Sequence, residues 1–145
     1  MYIEKADELT EELYAAVQRM VPQLGAHKIP PTRGELRELI HSQASTLLVA
    51  RQPDQERSIV GLLCLTIYRV PTGLRSIIED VVVDQDQRGQ GIGKMLVQHA
   101  IGLARTAGAE GVSLTSNPKR EVANRLYRSI GFELRQTNAY FYRLK

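Results

Sequence analysis

Apolar positions in this chain follow two periods, and the switch between them divides it. Leu9, Leu13, Val17, Met20 and Leu24 recur at helical spacing and form one stripe. Asp7 is placed to cap this helix, and Pro22 limits its length. Residues 2–6 alternate weakly and read as a short strand. Residues 25–31 form a loop. Thr32-Arg33-Gly34-Glu35 then spells a capping box that opens a second helix, running to about Ser42 with Leu36, Leu39 and Ile40 inward.

From residue 46 the period falls to two. Residues 46–51, 58–68 and 74–83 are β-branched and aliphatic runs separated by turn-forming segments, and they predict three sequential antiparallel strands. A helix follows over residues 91–107, with Ile92, Met95, Leu96, Ala100 and Leu103 buried, and Gly108 ends it. Residues 112–115 make a short strand. Residues 120–130 make a helix with Val122, Leu126 and Ile130 on its buried face, closed by Gly131. Residues 132–134 and 139–144 finish the chain as two strands. No repeat, low-complexity tract or linker interrupts this order, which predicts a single domain over residues 1–145 in the α/β class with a mixed sheet.

Composition narrows the class. With 43% apolar and 24% charged residues, the chain reads as globular. A single cysteine excludes an internal disulfide and a Cys-based zinc module, and no histidine pair has metal-ligand spacing, so no metal is expected. The longest apolar run, residues 59–65, is too short to span a bilayer, and Glu4, Lys5, Asp7 and Glu8 are incompatible with a signal peptide. The expected compartment is the cytoplasm, with no membrane partner. Charge is unevenly spread: residues 1–87 carry nine Lys and Arg against thirteen Asp and Glu, and residues 88–145 carry ten against three. A basic C-terminal half fits a polyanion of nucleotide size as well as it fits nucleic acid, and a chance skew of solvated faces also produces it.

The most informative stretch is Val81-Val82-Val83-Asp84-Gln85-Asp86-Gln87-Arg88-Gly89-Gln90-Gly91-Ile92-Gly93-Lys94. A strand ends, a polar turn follows, and glycines lead directly into a helix. Glycines there leave backbone N–H groups converging on one spot at the positive end of the helix dipole, which suggests a phosphate site with Arg88 and Lys94 at its rim. A Walker A loop would need glycine where Arg88 stands and Ser or Thr where Met95 stands; a dinucleotide fingerprint from Gly89 would need glycine at Lys94. Both fail.

Arg88, Gly91 and Gly93 do spell R-x-x-G-x-G at the end of a strand. This resembles the pyrophosphate motif of the GNAT superfamily of acetyl-CoA-dependent N-acyltransferases, and the resemblance runs the length of the chain. Carboxylates in Ile77-Ile78-Glu79-Asp80 precede the motif, Asn124 and Tyr127 lie on the later helix, and Gly131-Phe132 closes that helix. The resemblance implies a mixed, mostly antiparallel twisted sheet of about seven strands with helices on both faces, and acetyl-CoA as co-substrate.

It also implies roles. The backbone N–H groups of Arg88, Gly89, Gln90, Gly91, Ile92, Gly93 and Lys94 would take the pyrophosphate. In the family the preceding strand parts from its neighbour and hydrogen-bonds the pantetheine arm; period-two geometry assigns this to Val81 and Val83, whose side chains can pack in the core at the same time. Asn124 would hydrogen-bond the cofactor, and Tyr127 would protonate the departing thiolate; a tyrosine packed half-exposed against the next strand is the plainer account. Glu79 is the general-base candidate. Adjacent carboxylates on a strand face opposite ways, so at most one of Glu79 and Asp80 meets the thioester. A water chain is the family's alternative to one base, and an acid satisfied by N–H groups at a strand bulge is the alternative without catalysis.

Cys64 reads as a core residue, His99 as partly buried and structural, and His27 and His41 as near the acceptor loop without a required role. The expected reaction is acetyl transfer to a primary amine of a small molecule or peptide, by direct attack in a ternary complex. The acidic N-terminal half favours a cationic acceptor, while a likeness of residues 77–83 to glucosamine-phosphate acetyltransferases keeps a phosphorylated amino sugar open. A catalytically silent CoA-binding regulatory module is the competing reading. A nucleic-acid partner is not expected, for want of aromatic-basic interleaving. Tyr140-Phe141-Tyr142 is apolar enough to pair with a second copy of the chain.

Overall fold

Two hydroxyl-bearing caps start the N-terminal helices. In the computed structural model, which describes residues 1–145, the Thr10 side chain accepts from the Leu13 N–H and opens α1, Glu11–Met20. Asp7, expected as the cap, lies three residues too early: the helical stripe tolerates either residue as a cap, and only the chain's path out of β1, Tyr2–Lys5, decides. Pro22 sits in the first turn of a 3₁₀ segment, Val21–Leu24, where its missing N–H leaves no bond unmade. The capping box at Thr32 and Glu35 forms in both directions and starts α2, Arg33–Ile40.

The chain forms two compact units, Met1–Thr115 and Ser116–Lys145. In the first, β1, β2 (Ser45–Arg51), β3 (Ile59–Val70), β4 (Gly73–Val83) and β5 (Val112–Ser113) make one five-stranded sheet in chain order. The pairings β1–β2, β2–β3 and β3–β4 are antiparallel; β5 runs parallel to β4 after the crossover helix α3, Ile92–Ala107.

Both faces of the sheet are covered. Leu13, Ala16, Val17 and Met20 of α1, with Leu36 and Ile40 of α2, pack on Leu47, Val49, Leu62 and Val82. On the other face, Ile92 and Leu96 of α3 lie over Ala50 and Gly61; a Cβ at Gly61 would stand 3.0 Å from Leu96 and 3.2 Å from Ile92. Ile92, Leu96, Val97 and Ala100 are fully buried, each large side chain contributing roughly 1.5–3 kcal/mol.

The second unit holds α4, Glu121–Ile130, closed by Gly131 at φ 120°, whose N–H and that of Phe132 return to carbonyls of the last turn. Val122, expected on a buried face, is exposed, and Tyr127 is the buried residue of this helix. The seven-strand expectation also needs correction, since the sheet has five strands. Residues 132–134 and 139–144 form no strand, and Leu134, Tyr140, Phe141, Tyr142 and Leu144 are exposed. Alternating apolar residues specify which side of a strand is buried, but a strand exists only where its backbone finds a ladder partner.

Gly61→Val should lower stability by about 1–3 kcal/mol through overpacking against α3. For a domain of this size that is a fall in Tm of about 2–4 °C per kcal/mol, read by thermal unfolding. An unchanged Tm would show that α3 does not seat against β3 as described.

Candidate active site

The pairing of β4 is interrupted at its centre. Leu62 faces Val82, but Cys64 faces Glu79, so two residues of β4, Asp80 and Val81, oppose the single Leu63. Asp80 takes φ 55°, a left-handed conformation that Asp adopts more readily than most residues. This bulge reverses the strand's alternation. Val82 shares the α1 face with Leu62, whereas Ile78, four residues back, pairs with Leu65 on the α3 side. Glu79 and Asp80 are both exposed, and both charges act on the Cys64 thiol.

The outer edge of β4 is open. β5 pairs only with Ser76 and Ile77, reinforced by the Ser76 hydroxyl donating to the Gly111 carbonyl at 2.7 Å. Beyond Ile77 the edge has no strand partner. The Asp84 N–H donates to the Val60 carbonyl at 2.8 Å; alternation therefore turns Val82 toward β3 as well, and Val81 and Val83 outward to the open edge. Arg88 turns back and donates from Nε to the Val83 carbonyl at 3.1 Å. The Val83 N–H remains for another partner.

A 3₁₀ turn, Gln85–Gln87, leads from this edge to the start of α3. Gln87 accepts from the side chains of Gln52 and Gln90, which ties the turn to the segment after β2. Gly89 and Gly91 have φ 83° and 80°, and an added Cβ at either would meet nothing within 4 Å. Gly91 is the N-cap and supplies no side-chain oxygen; the first helical bond is Met95 N–H to the Gly91 carbonyl. The N–H groups of Ile92, Gly93 and Lys94 are thus left without helical partners, at the positive end of a sixteen-residue helix. A diphosphate fits such a cradle, since it needs several converging donors and close backbone approach. Ile92 has a double part, its side chain fully buried and its N–H in the cradle.

Other residues of the first unit lie away from this edge. His99, expected to be partly buried, is exposed, because its position lies one step off the α3 stripe. Burial pushes the Cys64 thiol up; a hydrogen bond with Thr66 opposes this, and Glu79 and Asp80 add to the rise. A thiol so held is a poor nucleophile at neutral pH. A cavity of about 120 Å³ between β1 and α1 is lined by Glu4, Asp7, Glu8 and Arg51 and includes none of these site residues. In the second unit, Asn124 donates to the Asn117 carbonyl at 3.0 Å, and Tyr127 lies edge-on to Phe132 with ring centroids 5.9 Å apart. Burial raises the Tyr127 phenol above its ordinary 10.0, with Arg120 pulling weakly the other way. The Ser116 hydroxyl is buried without a hydrogen-bond partner, a feature no sequence pattern announces.

Residues 10–132 match the Acetyltransferase (GNAT) family. The chain belongs to that family. It is accordingly an acetyltransferase whose co-substrate is acetyl-CoA. It is 32% identical over 126 residues, 86% of this chain and 77% of the relative, to the peptidyl-lysine N-acetyltransferase YjaB of Salmonella typhimurium strain LT2. Among solved structures, it resembles a transcriptional regulator from Bacillus halodurans C-125 with a TM-score of 0.77 and 25% identity, over 97% of this chain and 99% of that one. It also resembles the aminoglycoside acetyltransferase meta-AAC0020 from an uncultured soil metagenomic sample, with a TM-score of 0.84 over 99% of this chain and 96% of that one; at 23% identity this likeness is one of fold. No helix of this GNAT chain is long and apolar enough to cross a membrane.

Gly91→Val should abolish measurable acetyl-CoA binding in a calorimetric titration. A β-branched residue is strained at φ 80°, by about 1–2 kcal/mol, and its side chain would fill the space before the cradle. Retained binding would place the diphosphate elsewhere.

Proposed function

We propose that this chain, as one catalytic domain over residues 1–145 acting in the cytoplasm, moves an acetyl group from acetyl-CoA to a primary amine of a small molecule or peptide. The observation that carries the reading is the open outer edge of β4 leading within a few residues to the unpartnered N–H groups at the start of α3. An extended arm ending in a diphosphate satisfies both sets of donors at once. In this reading Val81 and Val83 bond the pantetheine arm, and Arg88, Gly89, Gln90, Gly91, Ile92, Gly93 and Lys94 enclose the pyrophosphate. Asn124 contacts the cofactor from α4.

The amine attacks the thioester directly in a ternary complex. Its nitrogen forms a bond to the carbonyl carbon, the oxyanion collapses, and the carbon–sulfur bond breaks. The raised Cys64 thiol argues against an acetyl-enzyme. Glu79 takes the proton from the attacking amine, directly or through water, and Tyr127 gives one to the departing thiolate. Burial keeps that phenol protonated at neutral pH, as an acid requires. Two exposed carboxylates at the bulge and an acidic N-terminal half favour a cationic acceptor, and a lysine side chain, the group named for the Salmonella relative, is one. The exposed apolar segment Tyr140-Phe141-Tyr142 supports a two-fold dimer.

A CoA-binding regulatory module without catalysis is the second reading, favoured by the likeness to the Bacillus halodurans regulator. Thiol release from acetyl-CoA with a panel of amines separates them: release with one amine class supports the enzyme, and binding without release from any amine supports the module. Tyr127→Phe should lower kcat by about 10²-fold while acetyl-CoA affinity stays within about twofold; an unaltered kcat would remove Tyr127 as the acid. The acid form is lost as pH rises through a pKa raised above 10.0, so the alkaline limb of the wild-type kcat profile should lie above pH 10. Glu79→Gln should flatten the acidic limb, and an unchanged limb would remove Glu79 as the base.

A further inference from the structure

Asp84 is the joint between the two halves of the proposed cofactor site. Its N–H makes the last bond of β4 to β3, and its carbonyl accepts from the Gln87 N–H at 2.8 Å to begin the turn toward α3. The edge presented by Val81 and Val83 lies just before it, and the N–H cradle lies just after. One ligand that engages both therefore depends on the angle at which the chain leaves Asp84.

That angle is held by side chains far away in sequence. Arg19, in the last turn of α1, donates from Nε to Asp84 Oδ2 at 3.0 Å and from Nη2 to the Ile59 carbonyl at 3.0 Å. Gln23, in the following 3₁₀ turn, donates to Asp84 Oδ1 at 3.4 Å and accepts from the Gln85 N–H at 3.0 Å. Both carboxylate oxygens and the next backbone N–H are thus occupied. Burial alone would raise the Asp84 carboxyl, but the bonds from Arg19 and Gln23, the guanidinium charge and the Gln85 N–H together hold it below the usual range. The Asp84 side chain is 15% exposed and that of Arg19 is 48%. A guanidinium half-exposed to water limits what the pair contributes to stability. What the arrangement fixes is direction: a charged fork on α1, a carboxylate at the joint, and an amide that reads side chain and backbone together.

We propose that Arg19, Gln23 and Asp84 are positioning residues that hold the pyrophosphate loop in register with the open edge of β4, so that acetyl-CoA meets both at once. The proposal rests on the acetyl-CoA reading above. It also makes the N-terminal helix part of cofactor binding.

The test is a calorimetric titration of the full chain with acetyl-CoA, alongside thermal unfolding and steady-state kinetics, for wild type, Asp84→Asn, Gln23→Ala and Arg19→Lys. Asp84→Asn should raise Kd and KM for acetyl-CoA by about tenfold, with the acceptor KM and kcat within about twofold of wild type. Arg19→Lys, which keeps the charge but loses the fork, should fall between wild type and Asp84→Asn. If Asp84→Asn fails to fold, Gln23→Ala removes one donor to the carboxylate and the acceptor for Gln85, and should weaken acetyl-CoA binding in the same sense. Folded variants that bind acetyl-CoA as wild type does, or that lose only Tm, would overturn the clamp while leaving the acetyl-CoA reading intact. A wild-type chain that does not bind acetyl-CoA would overturn that reading first, and the clamp with it.

Discussion

Backbone donors and acceptors in a sheet must be paired, and β4 meets that demand on its outer edge for two residues only. β5 stops at Ser113, so the edge from Ile78 onward looks for partners outside the sheet. The bulge at Asp80 sharpens the effect. Past it, Val81 and Val83 resume alternation with their backbone groups outward. The strand thus packs the core with Ile78 and Val82 while leaving a row of peptide groups for a ligand.

Packing and binding share residues at the start of α3. Gly61 has no side chain, so Ile92 and Leu96 approach β3 closely. That approach sets the height of the helix N-terminus above the sheet, and with it the place of the Ile92, Gly93 and Lys94 N–H groups. Gly91 holds the chain in a conformation costly for other residues and caps the helix without filling the cradle. Core and proposed site are therefore not separable here: the helix that Gly61 admits is the one whose first N–H groups form the cradle.

Local signals in the sequence carried most of the first unit. The capping box at Thr32 and Glu35, the αL glycine at Gly108 and the turn at Pro71-Thr72-Gly73 each act within a few residues, and each appears where its chemistry requires. What escaped was non-local. Asp7 and Thr10 are both competent caps, and the difference lies in the path between β1 and α1. Periodicity cannot place a bulge, and the one weighed as an alternative for Glu79 falls at Asp80 and Val81. Residues 132–134 and 139–144 carry strand-like alternation, but pattern does not supply a neighbouring strand. Arg19 and Asp84 stand 65 residues apart, and neither motif nor spacing joins them.

Amide hydrogen exchange with and without acetyl-CoA shows whether the open edge of β4 and the start of α3 bind one ligand together. Binding of one ligand to both should bring new protection at Val81, at Val83 and across residues 89–94, with little change at Val82, whose backbone already faces β3. Saturating acetyl-CoA that leaves the Val81 and Val83 amides exchanging as in the free chain would contradict it.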